Sequence, residues 1–151
     1  MNKKLNDLLN SRNYVVHSVQ SDNTIKAAVN IMNEFHIGAL IVMDHKEEIV
    51  GILTERDIMK KLAATDDLVG HISVKSIMTP REKLIIGSGE NTIEELMNTM
   101  MENKIRHIPI MDSENVLRGV LSMRDIIRFL LEDSTQKVKH LNNYIMGNYP
   151  M

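Results

Sequence analysis

The chain has 151 residues and no cysteine. Structural disulfides and thiolate metal sites are therefore excluded, and the absence fits an intracellular protein. There is no tryptophan, and only three tyrosines and two phenylalanines. Twelve methionines stand in their place. Most sit at helical spacing, where a flexible thioether fills irregular gaps in a core. No apolar run approaches the roughly 20 residues that a membrane span needs. Met1–Asn10 carries two lysines with no apolar run behind them, so it does not read as a signal peptide. Neither charge sign dominates: 18 basic against 20 acidic residues leave a net charge of −2. A nucleic-acid partner would need a clearly basic face, which this balance does not supply. His36, His45, His71 and His140 have no partners at metal-ligand spacing and read as surface residues. These absences point to a cytoplasmic protein without metal, nucleic acid or membrane among its partners.

What the chain does have is an internal repeat. A shift of 68 residues aligns 23–58 with 91–126 without a gap, and 14 of the 36 positions are identical. Chance at ordinary composition would give roughly two or three. The identities include Asn23/Asn91, Thr24/Thr92, Met32/Met100, Asp44/Asp112, Gly51/Gly119, Leu53/Leu121, Arg56/Arg124 and Asp57/Asp125.

Each repeat reads as strand, helix, strand, strand, helix. In the first, Tyr14–Ser18 is an extended run. Ile25, Ala28, Val29, Met32 and Phe35 then share one helical face. Gly38–Met43 and Ile49–Leu53 are strands joined by a polar turn at Asp44–Glu48. Thr54 opens a helix to about Leu62, with Ile58 and Leu62 facing inward. In the second, Leu84–Ile86 is extended, and Asn91 is expected to cap a helix with Glu94 as its capping-box partner. Ile105–Met111 and Leu117–Leu121 form the hairpin. Ser122 opens a long terminal helix that buries Ile126, Ile127 and Leu130 and runs on, or restarts, through Val138, Leu141 and Ile145. A further helix is expected around Leu5–Leu9. The reading is a mixed α+β fold. Its divisions are 1–62 (N-terminal helix and first repeat), 63–75 (linker), 76–131 (second repeat) and 132–151 (helical tail).

Two motifs close the second hairpin strands in register: Gly51-Ile52-Leu53-Thr54-Glu55-Arg56-Asp57 and Gly119-Val120-Leu121-Ser122-Met123-Arg124-Asp125. With the lead-in Ser76-Ile77-Met78-Thr79-Pro80 and the strand Lys104-Ile105-Arg106-His107-Ile108-Pro109-Ile110, they resemble the CBS domain. The resemblance covers about residues 5–130, and the layout is similar to small stand-alone bacterial CBS pairs, down to the tail around His140–Gly147. It implies two repeats in one pseudo-twofold module, clefts between the repeats that bind adenosine-containing ligands, and a disc-shaped homodimer.

The residues make physical sense for such a ligand. A ribose diol can give both hydroxyls to one carboxylate through charge-assisted bonds. Asp57 and Asp125 are the matching positions. A helix N-terminus suits phosphate. Thr54 and Ser122 could cap the helix or donate to phosphate, and Arg56 and Arg124 could add charge or stay solvated. Adenine needs apolar walls and backbone groups, which the strand starts offer. These are His17, Ser18, Gly38, Ala39 and Leu40 in the first repeat. In the second they are Leu84, Ile85, Ile86, Arg106, His107, Ile108 and Pro109. Pro109 lacks an N–H, so its strand is expected at an edge or opening there. Ile86 replaces the hydroxyl that Ser18 supplies. Arg106 and His107 replace Gly38 and Ala39, so the second cleft is the more cationic. Gly87-Ser88-Gly89 lacks the Lys-Ser/Thr of a phosphate loop and reads as a turn.

The expected function is regulatory. An adenine nucleotide (AMP, ADP, ATP) or related adenosyl ligand binds, and a regulated protein reads the change in packing. No catalytic cofactor is implied. An enzyme such as a nucleotide hydrolase would need a nucleophile or metal cluster that the sequence does not display. The alternative is a structural dimerisation module with vestigial clefts.

Overall fold

The structure, a computed structural model, describes residues 4–10 and 14–147. The boundaries drawn at 1–62 and 132–151 include a few residues outside that range. In chain order the elements are α1 (Leu5–Asn10), β1 (Ser18–Gln20), α2 (Ile25–Phe35), β2 (Ala39–Met43), β3 (Ile49–Thr54) and α3 (Glu55–Ala64). Then come β4 (Thr79–Pro80), β5 (Gly87–Ser88), α4 (Ile93–Asn103), β6 (His107–Met111), β7 (Leu117–Ser122) and α5 (Met123–Ile145). Short 3₁₀ turns fill 69–76 and Arg81–Lys83. The mixed α+β fold and the doubled β-α-β-β-α order are those the sequence predicts.

The chain divides into two compact units, one of residues 14–86 and one that joins α1 to residues 87–147. In the first, the sheet order is β1-β2-β3-β4. β1 and β2 are parallel, so a crossover must join them, and α2 is that crossover. β2 and β3 form the antiparallel hairpin. β2 buries Leu40, Ile41 and Val42 in succession. Consecutive side chains point to opposite faces, so both faces of this strand are covered, which is why it reads as a continuous apolar run. Leu40, Val42 and Leu53 pack with Val19, Ile25, Ala28, Met32, Val69 and Val74 in one core. In the second unit the sheet is β5-β6-β7, and its fully buried side chains include Leu5, Leu8, Ile108, Leu121 and Ile126.

The duplication holds at the level of single bonds. Asp44 Oδ1 accepts from the N–H groups of Lys46 and Glu48, and Asp112 Oδ1 accepts from those of Glu114 and Val116. Glu47 and Asn115 turn the two hairpins with φ of 62° and 60°. His36 and Lys104 end α2 and α4 in the left-handed region at 53° and 54°, the usual αL termination.

The units also trade their lead-in segments. The N–H groups of Val74 and Lys75 donate to the carbonyls of Asn23 and Ser21. In the other unit Leu5 and Asn6 donate to Asn91 and Gly89. Residues 4–6 thus do for the second repeat what 73–75 do for the first. By its contacts, α1 lies with the second repeat, and 63–75 is part of the first unit's core rather than a bare linker.

Several local expectations need correction. Ladder pairing begins at Ser18 and at Gly87, so Tyr14–His17 and Leu84–Ile86 precede the strands rather than belong to them. Thr92 caps α4, with Glu95 as its capping-box partner, one residue later than Asn91 and Glu94. Asn91 Oδ1 instead accepts from the Ser88 N–H, which closes the turn before the helix. Leu62 and Ile127 are more than half exposed, because α3 and α5 each rest on their unit by a narrower stripe. α5 runs unbroken from Met123 to Ile145.

The Thr92–Glu95 box gives a pH prediction. The Thr92 N–H, and then the Asn91 side chain, hold the Glu95 carboxyl below its ordinary value. A depressed pKa means the stabilisation is full above the ordinary carboxylate range and is lost as pH falls through the lowered value. Glu95→Gln is therefore expected to flatten the acid arm of the melting temperature against pH and to leave its neutral arm nearly parallel to that of the parent protein.

Candidate functional site

In each repeat the second hairpin strand runs directly into a helix, and the junction is built from its own side chains. Thr54 ends β3 in an extended conformation and caps α3. The Thr54 N–H and hydroxyl both donate to Asp57 Oδ2, at 2.9 and 3.1 Å. The Asp57 N–H returns a long bond to Thr54 Oγ1 at 3.4 Å. Ser122 and Asp125 repeat this with 3.0, 2.6 and 3.1 Å. The Glu55 N–H donates to the Gly38 carbonyl, and the Met123 N–H to that of Arg106. Two of the first three N–H groups of each helix are thus satisfied internally, leaving less of the helix end for a phosphate than its position implies.

These bonds decide what the site can do. Thr54 and Ser122 are caps, and their hydroxyl protons are already given to carboxylates. Both donors fall on one oxygen of each aspartate. Among the described residues no hydrogen bond engages Oδ1 of Asp57 or Asp125. Each carboxylate is therefore fixed in orientation through Oδ2 while Oδ1 keeps its acceptor capacity. Removing the caps by Thr54→Ala or Ser122→Ala is expected to cost about 0.5–2 kcal/mol each, read as a lower midpoint in urea at unchanged slope.

The register brings further residues to the same ends. Ala39 pairs with Thr54 and His107 with Ser122. Gly38, Ala39, Thr54 and Asp57 therefore cluster in one unit, and Arg106, His107, Ser122 and Asp125 in the other. Arg56, Arg124 and Arg106 are exposed, and Ser18 is exposed at the start of β1. Leu40 and Ile108 are fully buried and Pro109 is buried, so their side chains belong to the cores and only their backbone could face a ligand. Leu84 and Ile85 are half-buried and Ile86 is exposed. All three belong to the 14–86 unit rather than to that of Arg106–Asp125.

Pro109 lies on β6, the central strand of its sheet, not at an edge. The loss of a donor shows in a different way. At the equivalent position the Ile41 N–H donates to the His17 carbonyl at 3.1 Å. Proline cannot make that bond, and β5 begins pairing only at Gly87, opposite Ile110. The parallel ladder of the second repeat starts one residue later than that of the first.

Two features escape the sequence reading. Phe35, assigned to the core stripe of α2, is 46% exposed and stacks on the His17 ring with centroids 4.1 Å apart. The second repeat has Ile85 and Asn103 at these positions, so only the first carries an aromatic pair. A single stripe residue next to the helix end was the available signal. Glu55 is the other feature. A Cβ at Gly38 would stand 3.1 Å from the Glu55 carboxyl carbon, so glycine there admits an acidic side chain. The first half-site gathers Glu55, Arg56 and Asp57, and the second Arg106, Arg124 and Asp125. The cationic bias of the second is visible in these sets. Among the described residues no cluster of three or more His, Asp or Glu could hold a metal, and no described helix is long and apolar enough to cross a membrane.

Comparison with known proteins agrees with this architecture. The CBS domain model matches residues 7–64 and 66–132. The mitochondrial CBS domain-containing protein CBSX3 of Arabidopsis thaliana is 33% identical over 131 residues, covering 85% of this chain and 63% of that protein. The chain thus spans a little under two thirds of that relative. The crystal structure of the CBS-domain containing protein ATU1752 from Agrobacterium tumefaciens superposes with a TM-score of 0.78 at 29% identity, over 85% of this chain and 93% of that one. Two more distant structures share the fold and hold adenosine compounds. CBSX2 was solved with AMP (20% identity, TM-score 0.67, 87% of this chain and 98% of that one). The CBS domain pair of MJ0100 was solved with 5′-methylthioadenosine and S-adenosyl-L-methionine (22%, 0.73, 88% and 99%). With both repeats matched by the family model, this chain belongs to the CBS domain family.

Proposed function

We propose that the chain is a regulatory module that binds adenosine-containing ligands, adenine nucleotides among them, and passes ligand occupancy to a protein partner. The observation that carries this reading is the pair of aspartates, each fixed through Oδ2 by its own helix cap with Oδ1 left as an acceptor. A ribose diol is the complement of such a group, since two adjacent hydroxyls can converge on one carboxylate. Relatives of the same fold crystallised with AMP or with S-adenosyl-L-methionine support the adenosine class without choosing within it. The charge sets refine the reading: the half-site with Arg106 and Arg124 suits a phosphorylated ligand, and the one with Glu55 disfavours added negative charge. The remaining assigned positions, His17 and Ser18 in one repeat and Leu84–Ile86 in the other, are read as backbone and apolar contacts to the base. The module is read as a non-catalytic, cytoplasmic homodimer.

Thermal shift with AMP, ADP, ATP and S-adenosyl-L-methionine at millimolar concentration tests the reading. A ligand at 100 times its Kd stabilises by about 2.7 kcal/mol, so at least one is expected to raise the melting temperature. No shift with any of them would reject ligand sensing and leave the structural dimerisation role, which the exposed apolar stripe of α5 favours.

A further inference from the structure

At the two strand-to-helix junctions, one equivalent place carries opposite charge. Arg56 corresponds to Arg124 and Asp57 to Asp125, so these four residues cancel when the repeats are compared. What differs is Gly38 against Arg106 and Glu55 against Met123. In space these are a single difference. A Cβ at Gly38 would stand 3.1–3.3 Å from the carboxyl carbon and both carboxyl oxygens of Glu55. The Glu55 carboxylate therefore fills the place from which the Arg106 side chain departs in the other repeat. The backbone there is the same in both: the Glu55 N–H donates to the Gly38 carbonyl and the Met123 N–H to the Arg106 carbonyl. The first turn of α3 holds two acidic residues, Glu55 and Asp57, where that of α5 holds only Asp125. The partial positive charge of the α3 N-terminus is thus offset by its own side chains, while that of α5 is reinforced by Arg106.

We infer that the two half-sites take different ligands: the first an adenine nucleoside whose 5′ group is uncharged or cationic, the second one that carries a 5′ phosphate. The inference rests on the adenosine-binding reading and adds to it the 5′ chemistry that each repeat selects, with Glu55 as the determinant in the first. A phosphate that meets a guanidinium in one repeat meets a carboxylate at the equivalent place in the other. Such a repulsive group rejects the wrong ligand as effectively as a new contact selects the right one. The first repeat also has a means of holding a base without help from phosphate. The His17 carbonyl accepts from the Ile41 N–H, which sets His17 beside the start of β2, and its ring stacks on Phe35 at 4.1 Å. Aromatic faces of this kind suit a flat heterocycle, and the second repeat has only Ile85 and Asn103 there. Glu55 further lines a hollow of about 420 Å³ whose walls include Val29, Met32 and Ile58, with Asn33 and His36 beside them. Apolar walls with one carboxylate match a 5′ substituent that has an apolar stem and no negative charge. With the two selections in one chain, the module reads the balance between a nucleoside and a nucleotide rather than the amount of either.

Calorimetric titration of the full chain with 5′-methylthioadenosine and with AMP tests this, since the two share base and ribose and differ at the 5′ group. Asp125→Asn silences the second half-site and leaves the first to be read; Asp57→Asn does the converse. In Asp125→Asn, 5′-methylthioadenosine is expected to bind about tenfold or more tighter than AMP, the scale of one close charge repulsion at a partly solvated site. In Asp57→Asn the order is expected to reverse. Adding Glu55→Met to Asp125→Asn is expected to bring the affinity ratio of the two ligands close to one. Methionine stands at that position in the second repeat, so the helix start accepts it. The same preference in both aspartate variants, loss of all binding in Asp125→Asn while the parent protein binds, or a ratio that Glu55→Met leaves unaltered would each overturn the inference while the adenosine reading stands. A parent protein that binds neither compound would reject the adenosine reading, and this inference with it.

Discussion

Alanine at both Asp57 and Asp125 is expected to abolish measurable binding of adenosine ligands, with each single replacement weakening its own half-site roughly 10- to 150-fold. The range follows from about 1.5–3 kcal/mol for hydrogen bonds to a charged group. The result needs a control, because each aspartate is also the third residue of a capping box. Alanine leaves the Thr54 or Ser122 N–H without its partner and destabilises the helix end. Asparagine separates the two roles. Its amide oxygen can still accept from the cap residue, but the charge is gone. Asp57→Asn and Asp125→Asn are expected to lose most of the affinity at a smaller cost in stability. Thr54→Ala is expected to show the reverse, a loss of stability larger than its loss of affinity. Isothermal titration of the singles and the double checks both halves. Unchanged affinity in all of them would move the ligand away from these carboxylates.

The largest expected effect on stability belongs to Gly51→Ala. Gly51 lies on β3 opposite Pro80 of β4. A Cβ there would come 2.4 Å from the Thr79 carbonyl oxygen and 2.9 Å from the Met78 sulfur. The sulfur can swing aside; the backbone oxygen cannot without displacing β4 from the sheet. Overpacking of this kind costs about 1–3 kcal/mol or more, and lost ladder bonds add to it. At about 2–4 °C per kcal/mol for a chain of this size, the melting temperature is expected to fall by roughly 5–12 °C. Gly70→Ala is the matched control, since the nearest atom to its Cβ is 3.7 Å away, and it is expected to stay within about 0.5 kcal/mol of the parent. Equal effects of the two would mean that β4 does not hold Gly51 as described.

These residues also show where the sequence was informative. The repeat was legible because duplicated identities fall where backbone geometry is demanding: Asp44 and Asp112 at the hairpins, Thr24 and Thr92 at the caps, Gly51 and Gly119 in the strands. The aspartates of the two motifs stand out as duplicated positions for the same reason, and the structure shows each closing a helix capping box. What stayed hidden was non-local. Nothing in the local pattern of residues 4–10 shows that they bind beside Asn91, because the signal is a hydrogen bond across more than 80 residues of chain. The pairing of His17 with Phe35 and the nearness of Glu55 to Gly38 depend on register, which composition does not encode. Apolar spacing overstated burial at Leu62 and Ile127 because periodicity marks an apolar face without saying what covers it. For Pro109 the missing donor predicts an edge strand or an opening; the strand is central and the opening is what the structure has, since β5 has not yet begun to pair opposite it.

The proposed hold of a fixed carboxylate in each repeat on a ribose diol can be tested from the ligand's side. Calorimetric titration of the unmodified protein with AMP and with 2′-deoxy-AMP compares two ligands that differ by one hydroxyl, with no change to the helix caps. Loss of a hydrogen bond to a charged acceptor predicts about 10-fold or more weaker binding of the deoxy compound. Equal affinity for the two would contradict the assignment of Asp57 and Asp125.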